Sequence, residues 1–225
     1  MRRRTLISFG ISAVMIIVAL VMVFIVCPTE ATMGNIQRIF YFHVPVAWNA
    51  FFSFFVTFIF GIVYLKTRNP KHDFIAESSA KIGLVFATLI LLTGMIWAKP
   101  IWGVWWTWDA RLTSSLVMWL IYLAYFIIRS YISEEEKKYR FGSIIGIVGF
   151  IDIPIVALSI QLAPTTHPKA LIFNDGLHGT MLLTLLLSIA ALFAVYFLFM
   201  FLYYDLRTDE YEIARMKKRL LKEND

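Results

Sequence analysis

The sequence predicts an all-α, polytopic integral membrane protein with six transmembrane helices and both termini in the cytoplasm. Of its 225 residues, 60% are apolar and 16% are charged, whereas soluble domains contain roughly half and a quarter. A soluble core of this size could not bury the apolar excess, so lipid must cover it. The apolar residues also fall into long runs, and the cations gather in alternate connections between those runs.

Six apolar segments come near the length of about 20 residues that a spanning helix needs. They are residues 5–26, 44–65, 82–98, 112–128, 141–162 and 179–204. The first follows Met-Arg-Arg-Arg, as a signal peptide would. It is too long for a signal segment and lacks a small-residue cleavage site, so we expect a retained anchor. No internal repeat or low-complexity linker divides the chain. We therefore expect residues 1–225 to form a single six-helix membrane domain.

The distribution of Lys and Arg predicts the orientation of these helices. Of the 21 Lys and Arg residues, seventeen lie in the terminal segments and the even-numbered connections, and the other four are Arg38, Lys99, Arg111 and Lys169. The positive-inside rule then places both termini in the cytoplasm, with residues 205–225 as a charged cytoplasmic tail of a protein of the cytoplasmic (inner) membrane. Because the net charge of +6 comes from short clusters and not from one basic face, it does not indicate nucleic-acid binding.

The three connections predicted to face outward are 28–43, 99–111 and 163–178, and the central one is rich in tryptophan. Five of the seven tryptophans fall in or beside it, namely Trp97, Trp102, Trp105, Trp106 and Trp108. An interfacial aromatic belt would spread its tryptophans over several helix ends on both sides of the membrane. Their concentration in one loop favours an apolar platform for a large planar ligand.

The other two outward connections supply histidines. His43 precedes the second helix, where Pro45 suits a first helical turn, and His167 and His178 lie in the third outward connection. A single histidine near a helix end is usually structural. Three of the four histidines lie on the face that carries the tryptophans, however, and two imidazoles on opposite sides of an aromatic slot could supply the axial ligands of an iron porphyrin.

The stretch from Trp102 to Ser114 reads Trp-Gly-Val-Trp-Trp-Thr-Trp-Asp-Ala-Arg-Leu-Thr-Ser. It closely resembles the WWD signature of the haem-handling proteins of cytochrome c maturation, and His43-Val44-Pro45 resembles that family as well. In length, helix count and loop placement the chain is most similar to the small six-helix members. The resemblance implies that two outward-facing histidines ligate haem, which transfers to His43 and His167. His178 remains the alternative to His167.

The resemblance also implies a function. Haem b would bind without a covalent link at the outward loop 99–112, and would be exported or delivered to the haem chaperone CcmE. The implied partners are CcmE, the small subunit CcmD, the transporter subunits CcmA and CcmB, and the lipid bilayer. The chain would be a binding and transfer component and not an enzyme.

Within the loop, each side chain type has an expected role. We expect the haem edge to contact Trp102, Trp105, Trp106 and Trp108. Haem propionates are anions, so Arg111, and with it Lys99 and Arg38, are candidate partners; only an arginine can pair with a carboxylate bidentately. Asp109 is expected to orient Arg111 or to cap the fourth helix.

Two other features bear on the interpretation. The alternative function is a haem b-containing redox subunit of a membrane electron-transfer complex, but such subunits place their histidines inside helices, and no histidine here falls in the middle of an apolar segment. Asp152 lies in the middle of the fifth segment, where an ionisable residue is costly. We expect a structural, protonated or hydrogen-bonded Asp152 near the helix-breaking Pro154.

Overall fold

Seven α-helices run through the part of the chain that the computed structural model describes, which is residues 2–162, 167, 177 and 179–223. They are α1 (Arg3–Val21), α2 (Phe40–Thr67), α3 (Pro70–Trp102), α4 (Ala110–Tyr131), α5 (Glu135–Phe150), α6 (Asp152–Leu162) and α7 (Thr180–Glu223). A π-helical turn (Met22–Val26) extends α1, and a 3-10 turn (Asn35–Ile39) leads into α2. No β-strand occurs among the described residues, so the predicted all-α class is confirmed.

The predicted number of spans is confirmed as well. Within the described residues, six helical stretches are long and apolar enough to cross a membrane: Arg3–Val26, Asn35–Thr67, Pro70–Trp102, Ala110–Tyr131, Glu135–Ser159 and Thr180–Leu221. Several are longer than the sequence predicted, because hydropathy locates the lipid-crossing window and not the helix ends. The clearest case is α3, whose 33 residues span about 50 Å, well beyond a hydrocarbon layer of about 30 Å.

The fifth predicted segment, 141–162, is not one helix. It is divided between α5 and α6 at Ile151, so that Asp152 is the first residue of α6. Pro154 therefore lies among the first residues of a helix, where backbone N–H groups have no intrahelical partner to lose. Asp152 is 8% exposed, and its Oδ2 has no hydrogen-bond partner among the described residues. The start of a helix favours a carboxylate, which gives a structural reason for an acid at this depth.

Close contacts around α2 hold the bundle together. The ring of Phe54 stacks on that of Tyr122 with centroids 3.5 Å apart and an interplanar angle of 10°. The same ring lies over Gly83 of α3, where an added Cβ would come within 2.5 Å of it. This glycine allows α2 and α3 to approach closely along most of their length, and that approach positions the site described below.

Charged side chains link the helices at the end of the bundle where α3 begins. Arg129 of α4 donates to Asp73 Oδ1 at 2.7 Å, to Asp73 Oδ2 at 2.8 Å and to Glu77 Oε2 at 2.9 Å. Arg207 of α7 donates to the same Glu77 oxygen at 3.2 Å. We call these four residues the arginine cluster. It explains how the polar first turns of α3, which begins at Pro70 after the N-cap Asn69, lie within the bundle: their acidic side chains are paired there.

The last helix continues far past the predicted span 179–204. It runs without a break over 44 residues, about 66 Å, and so includes most of the predicted charged tail, 205–225. Its middle is tied to the start of the chain, since Arg2 and Arg4 form salt bridges with Asp205, and Arg2 also with Asp209. The cytoplasmic location of this end stays a prediction.

Candidate functional site

His43 is held between α2 and α3. It lies one turn inside α2, and its Nδ1 is 2.8 Å from Thr93 Oγ1 of α3. The neighbouring Gly94 allows the contact, because a Cβ built there would lie 3.3 Å from His43 Cε1. Two details of the prediction were wrong: His43 belongs to the helix and not to the connection 28–43, and Pro45 lies inside α2 and not in its first turn. The helix starts earlier because the 3-10 turn Asn35–Ile39 continues into it.

His167 lies opposite His43. The centroids of the two imidazole rings are 6.4 Å apart, and the ring planes are inclined by 37°. The third histidine of the prediction, His178, is outside the described residues, as is Lys169. The fourth, His72, is at the other end of α3, where its Nδ1 is 2.7 Å from Thr67 Oγ1. The structure thus brings together the two histidines that the sequence resemblance selected.

The tryptophans form two perpendicular pairs at and beyond the end of α3. Trp97 meets Trp102 edge to face with centroids 5.4 Å apart, and Trp106 meets Trp108 in the same way at 5.8 Å. Trp105 and Trp108 are 56% and 76% exposed, while the other three are half-buried. The indole Nε1 atoms of Trp97 and Trp106 are buried without a hydrogen-bond partner within the described residues. These indoles therefore offer apolar area and two uncommitted N–H donors.

The loop between α3 and α4 is closed by short-range contacts. Gly103 ends α3 with a φ of +76°, a conformation that favours glycine, and Lys99 Nζ donates to its carbonyl oxygen at 2.8 Å. Asp109 accepts from the Leu112 N–H at 3.0 Å and from Thr107 Oγ1 at 3.3 Å. Of the two roles expected for Asp109, the structure shows the helix cap. Lys99, a candidate for a propionate, instead bonds to Gly103.

The two predicted arginines differ in their surroundings. Arg111 follows the cap of α4 and is half-buried. Arg38 lies in the 3-10 turn, where its guanidinium donates to the Val23 carbonyl and, at 3.2 Å, to Asn35 Oδ1. It also lies 5.9 Å from the centroid of the Phe24 ring. Arg38 thus joins the end of α1 to the start of α2, and Arg111 is the stronger candidate for an anionic ligand.

Sequence comparison decides the family. The sequence profile described as Heme exporter protein C matches residues 1–221. The chain belongs to the heme exporter protein C family. Its resemblance to the haem-handling proteins, first indicated by the WWD stretch, is confirmed.

Relatives of this chain in the heme exporter protein C family include bacterial and plant proteins. A "Putative cytochrome c biosynthesis ccmC-like mitochondrial protein" of Marchantia polymorpha is 35% identical over 170 residues, covering 75% of this chain and 72% of the relative. The "Heme exporter protein C" of Bradyrhizobium diazoefficiens is 33% identical over 194 residues, covering 86% and 73%. That of Escherichia coli (strain K12) is 35% identical over 144 residues, covering 62% of this chain and 57% of the relative.

Sequence reasoning about this heme exporter protein C family member missed Thr93 and Gly94. Both lie in an apolar run that reads only as a spanning helix, and their contact with His43 arises from the packing of α3 against α2. A polar residue in such a run, one helical turn before Trp97, was the signal available. We refer to His43, Thr93, His167 and the five tryptophans together as the histidine site.

Proposed function

We propose that the chain binds haem at the histidine site and passes it to a separate acceptor in cytochrome c biogenesis. Membership of the heme exporter protein C family places the chain among haem-handling proteins of this process. The observation that carries the finer proposal is the distance of 6.4 Å between the ring centroids of His43 and His167.

That distance suits two axial ligands of one iron. Imidazole nitrogens bind first-row metals at about 2.0–2.1 Å. Since each ring centroid lies about 1 Å behind its ligating nitrogen, two imidazoles on opposite sides of one iron have centroids about 6 Å apart. His43 and His167 would hold the iron of haem b, which would form a coordination bond with each imidazole.

The remaining parts of the site suit a porphyrin and its carboxylates. Trp102, Trp105, Trp106 and Trp108 would cover the apolar edge, each contributing about 2–3 kcal/mol if its ring becomes buried. Arg111 would pair with a propionate, and the uncommitted N–H groups of Trp97 and Trp106 are further donors. The only cysteine, Cys27, is buried and donates to Tyr41 Oη at 3.1 Å, which favours a non-covalent complex.

The direction and partners of transfer rest on the sequence. The distribution of Lys and Arg supports a histidine site on the outer face of the inner membrane, with both termini in the cytoplasm. The resemblance supports CcmE as the acceptor and CcmD, CcmA and CcmB as components of the same assembly. Reporter fusions test the topology: a fusion after Asp225 should report the cytoplasm, and an insertion near Gly103 the outer side. An odd number of spans would overturn it.

Purification from a haem-sufficient host tests the binding proposal. We expect b-type haem with a low-spin, bis-imidazole absorption spectrum. His43→Ala and His167→Ala should each lose this spectrum while the protein still inserts, and His72→Ala, at the other end of α3, should retain it. Protein that holds no haem and takes up none when it is added would overturn the proposal. If His178→Ala abolishes ligation and His167→Ala does not, the second ligand is His178 and the haem-binding proposal still stands.

The same preparation separates transfer from electron transport. Because His43 lies within α2, the placement of the histidines does not by itself exclude a redox subunit. We expect haem to leave this protein for purified CcmE, measured as haem-loaded chaperone. A preparation that keeps its haem in the presence of CcmE, but reduces it with a quinol, would favour the redox alternative.

A further inference from the structure

The hydroxyl of Thr93 makes two short hydrogen-bond contacts but has only one proton to donate. Its Oγ1 lies 2.6 Å from the Leu89 carbonyl oxygen and 2.8 Å from His43 Nδ1. A carbonyl oxygen can only accept, and a threonine hydroxyl has a single proton to donate. The shorter contact therefore takes that proton, so Thr93 donates to Leu89. The contact with His43 is then a hydrogen bond in which Nδ1–H donates to the Thr93 oxygen.

This network assigns the histidine tautomer. A neutral imidazole has one N–H and one nitrogen with a free lone pair. With the proton on Nδ1, the lone pair is on Nε2. We propose that Thr93 is a positioning residue that fixes His43 in the Nδ1–H form and so presents Nε2 as the iron ligand. The proposal rests on the proposed function only in naming the iron; the tautomer itself follows from the contacts.

Gly94 fixes the ring from a second direction. A Cβ at this position would lie 3.3 Å from His43 Cε1 and 4.0 Å from Nδ1, so the backbone of α3 passes directly beside the imidazole. The ring is thus bonded by Thr93 and flanked by the next residue of the same helix. Both neighbours belong to α3, so the close packing of α2 against α3 fixes the position of the His43 ring.

A hydroxyl partner also has a consequence for haem release. Metal-bound histidines commonly donate their second N–H to a carboxylate, which raises the basicity of the ligand. The Thr93 oxygen is a neutral acceptor and raises it less. His43 would then hold ferric iron less firmly than a carboxylate-paired histidine does, which suits a protein that must give its haem away.

The first test needs no haem. Nitrogen-15 NMR of protein with labelled histidines reports which ring nitrogen is protonated. In wild type and in Thr93→Ser we expect His43 to be in the Nδ1–H form, and in Thr93→Val to become a mixture. Thr88→Val is the matched control, because Thr88 on the same helix also donates to a carbonyl, that of Leu84, and accepts from Trp119 Nε1. It should leave the His43 signals unchanged.

The wild-type spectrum alone can overturn the proposal. A His43 that is protonated on Nε2 contradicts it, and so does a Thr93→Val spectrum identical to wild type. Should Thr93→Val fail to fold, the wild-type and Thr93→Ser spectra still decide the tautomer.

The second test uses the haem-loaded protein. Loss of a partner that orients a metal ligand typically lowers affinity by about 10-fold to 100-fold. We expect Thr93→Val to release haem to an excess of a soluble acceptor at least about 10-fold faster than wild type, with a smaller low-spin fraction. Thr93→Ser should restore both, and Thr88→Val should match wild type.

The outcomes distinguish the two proposals. Wild-type protein that binds no haem contradicts the proposed function, while the NMR result still decides the role of Thr93. Wild-type protein with a bis-imidazole spectrum and a Thr93→Val variant of equal release rate and equal spectrum contradict the role of Thr93 and leave the proposed function standing.

Discussion

At the arginine cluster, Asp73 and Arg129 are 0% and 3% exposed, whereas at the histidine site Trp105 and Trp108 are 56% and 76% exposed. The two regions lie at opposite ends of α3, since Asp73 and Trp97 are separated by about 36 Å of helix. In the cluster nearly every charged atom has a partner, Arg129 Nε being an exception. In the histidine site two buried indole N–H groups have none within the described residues.

The difference fits the two proposed roles, in which the polar groups of the arginine cluster pair with one another and those of the histidine site would pair with a ligand. Buried charges are tolerated where they satisfy one another, and the arginine cluster does so across α3, α4 and α7. Buried donors without partners are rare in native structures and call for an explanation. A bound carboxylate-bearing ligand would explain those of Trp97 and Trp106. Substitutions in the cluster should therefore change stability, and substitutions in the histidine site should change haem binding.

The largest expected effect is at the arginine cluster. Arg129→Met leaves Asp73 as a buried, unpaired carboxylate, and breaking such a pair typically costs about 3–5 kcal/mol. Thermal unfolding in detergent should show a much lower midpoint, while any folded fraction keeps the haem spectrum of wild type. Lys137→Ala is the control, because its salt bridge with Glu134 is exposed. An Arg129→Met variant as stable as wild type would contradict a stabilising role for the arginine cluster.

The tryptophans should show the reverse pattern. Trp106→Ala should weaken haem binding by about 2–3 kcal/mol through lost apolar contact, with the haem content of purified protein as the measurement. Trp106→Phe keeps a six-membered aromatic ring but loses the N–H and part of the ring area, so its loss should fall between about 1 kcal/mol and that of Trp106→Ala. If every single Trp→Ala variant keeps full haem content and full transfer, the loop is an interfacial belt.

Two arginines sharpen the comparison further. If Arg111 pairs bidentately with a propionate, Arg111→Lys keeps the charge and loses one of two charged hydrogen bonds, roughly 1.5 kcal/mol or about tenfold in haem retention. The yield of haem-loaded CcmE should fall with it, and the unfolding midpoint should not. Arg38→Lys is the comparison variant, because Arg38 bonds to Val23 and Asn35. Equal effects of the two substitutions on haem would contradict the assignment.

The smallest expected effect is at Asp109. As the cap of α4 it accepts from the Leu112 N–H, so Asp109→Ala should cost about 1 kcal/mol of stability, whereas Asn caps a helix as well as Asp does. Asp109→Asn should therefore leave stability and bound haem unchanged while slowing transfer if the carboxylate orients Arg111 or meets the chaperone. Normal haem transfer by Asp109→Asn would show that Asp109 acts only as the N-cap of α4.

The number of spans and the identity of the paired histidines could be predicted, because apolar length and the WWD stretch are local properties of the sequence. The burial of the polar first turns of α3 could not, since Asp73 there is paired with Arg129, which lies 56 positions away along the chain. The break at Ile151 lies beside Asp152 and Pro154, whose oddity the sequence showed, but the apolar length of 141–162 favoured one unbroken span. Thr93 was missed because its partner His43 is on another helix, 50 positions away along the chain.

The pairing of α1 with α7 puts the first helix next to the last. Thr5, Ser12 and Ala19 of α1 are buried, α1 packs on α7, and Arg2 and Arg4 reach Asp205. At a synthesis rate of about 5–20 residues per second, roughly 10 to 35 s pass between the synthesis of α1 and that of α7. For that interval its partner face meets lipid, the translocon or another protein. During that interval only its own hydrophobicity holds α1 in the membrane, and α7 packs against it when synthesis is almost finished.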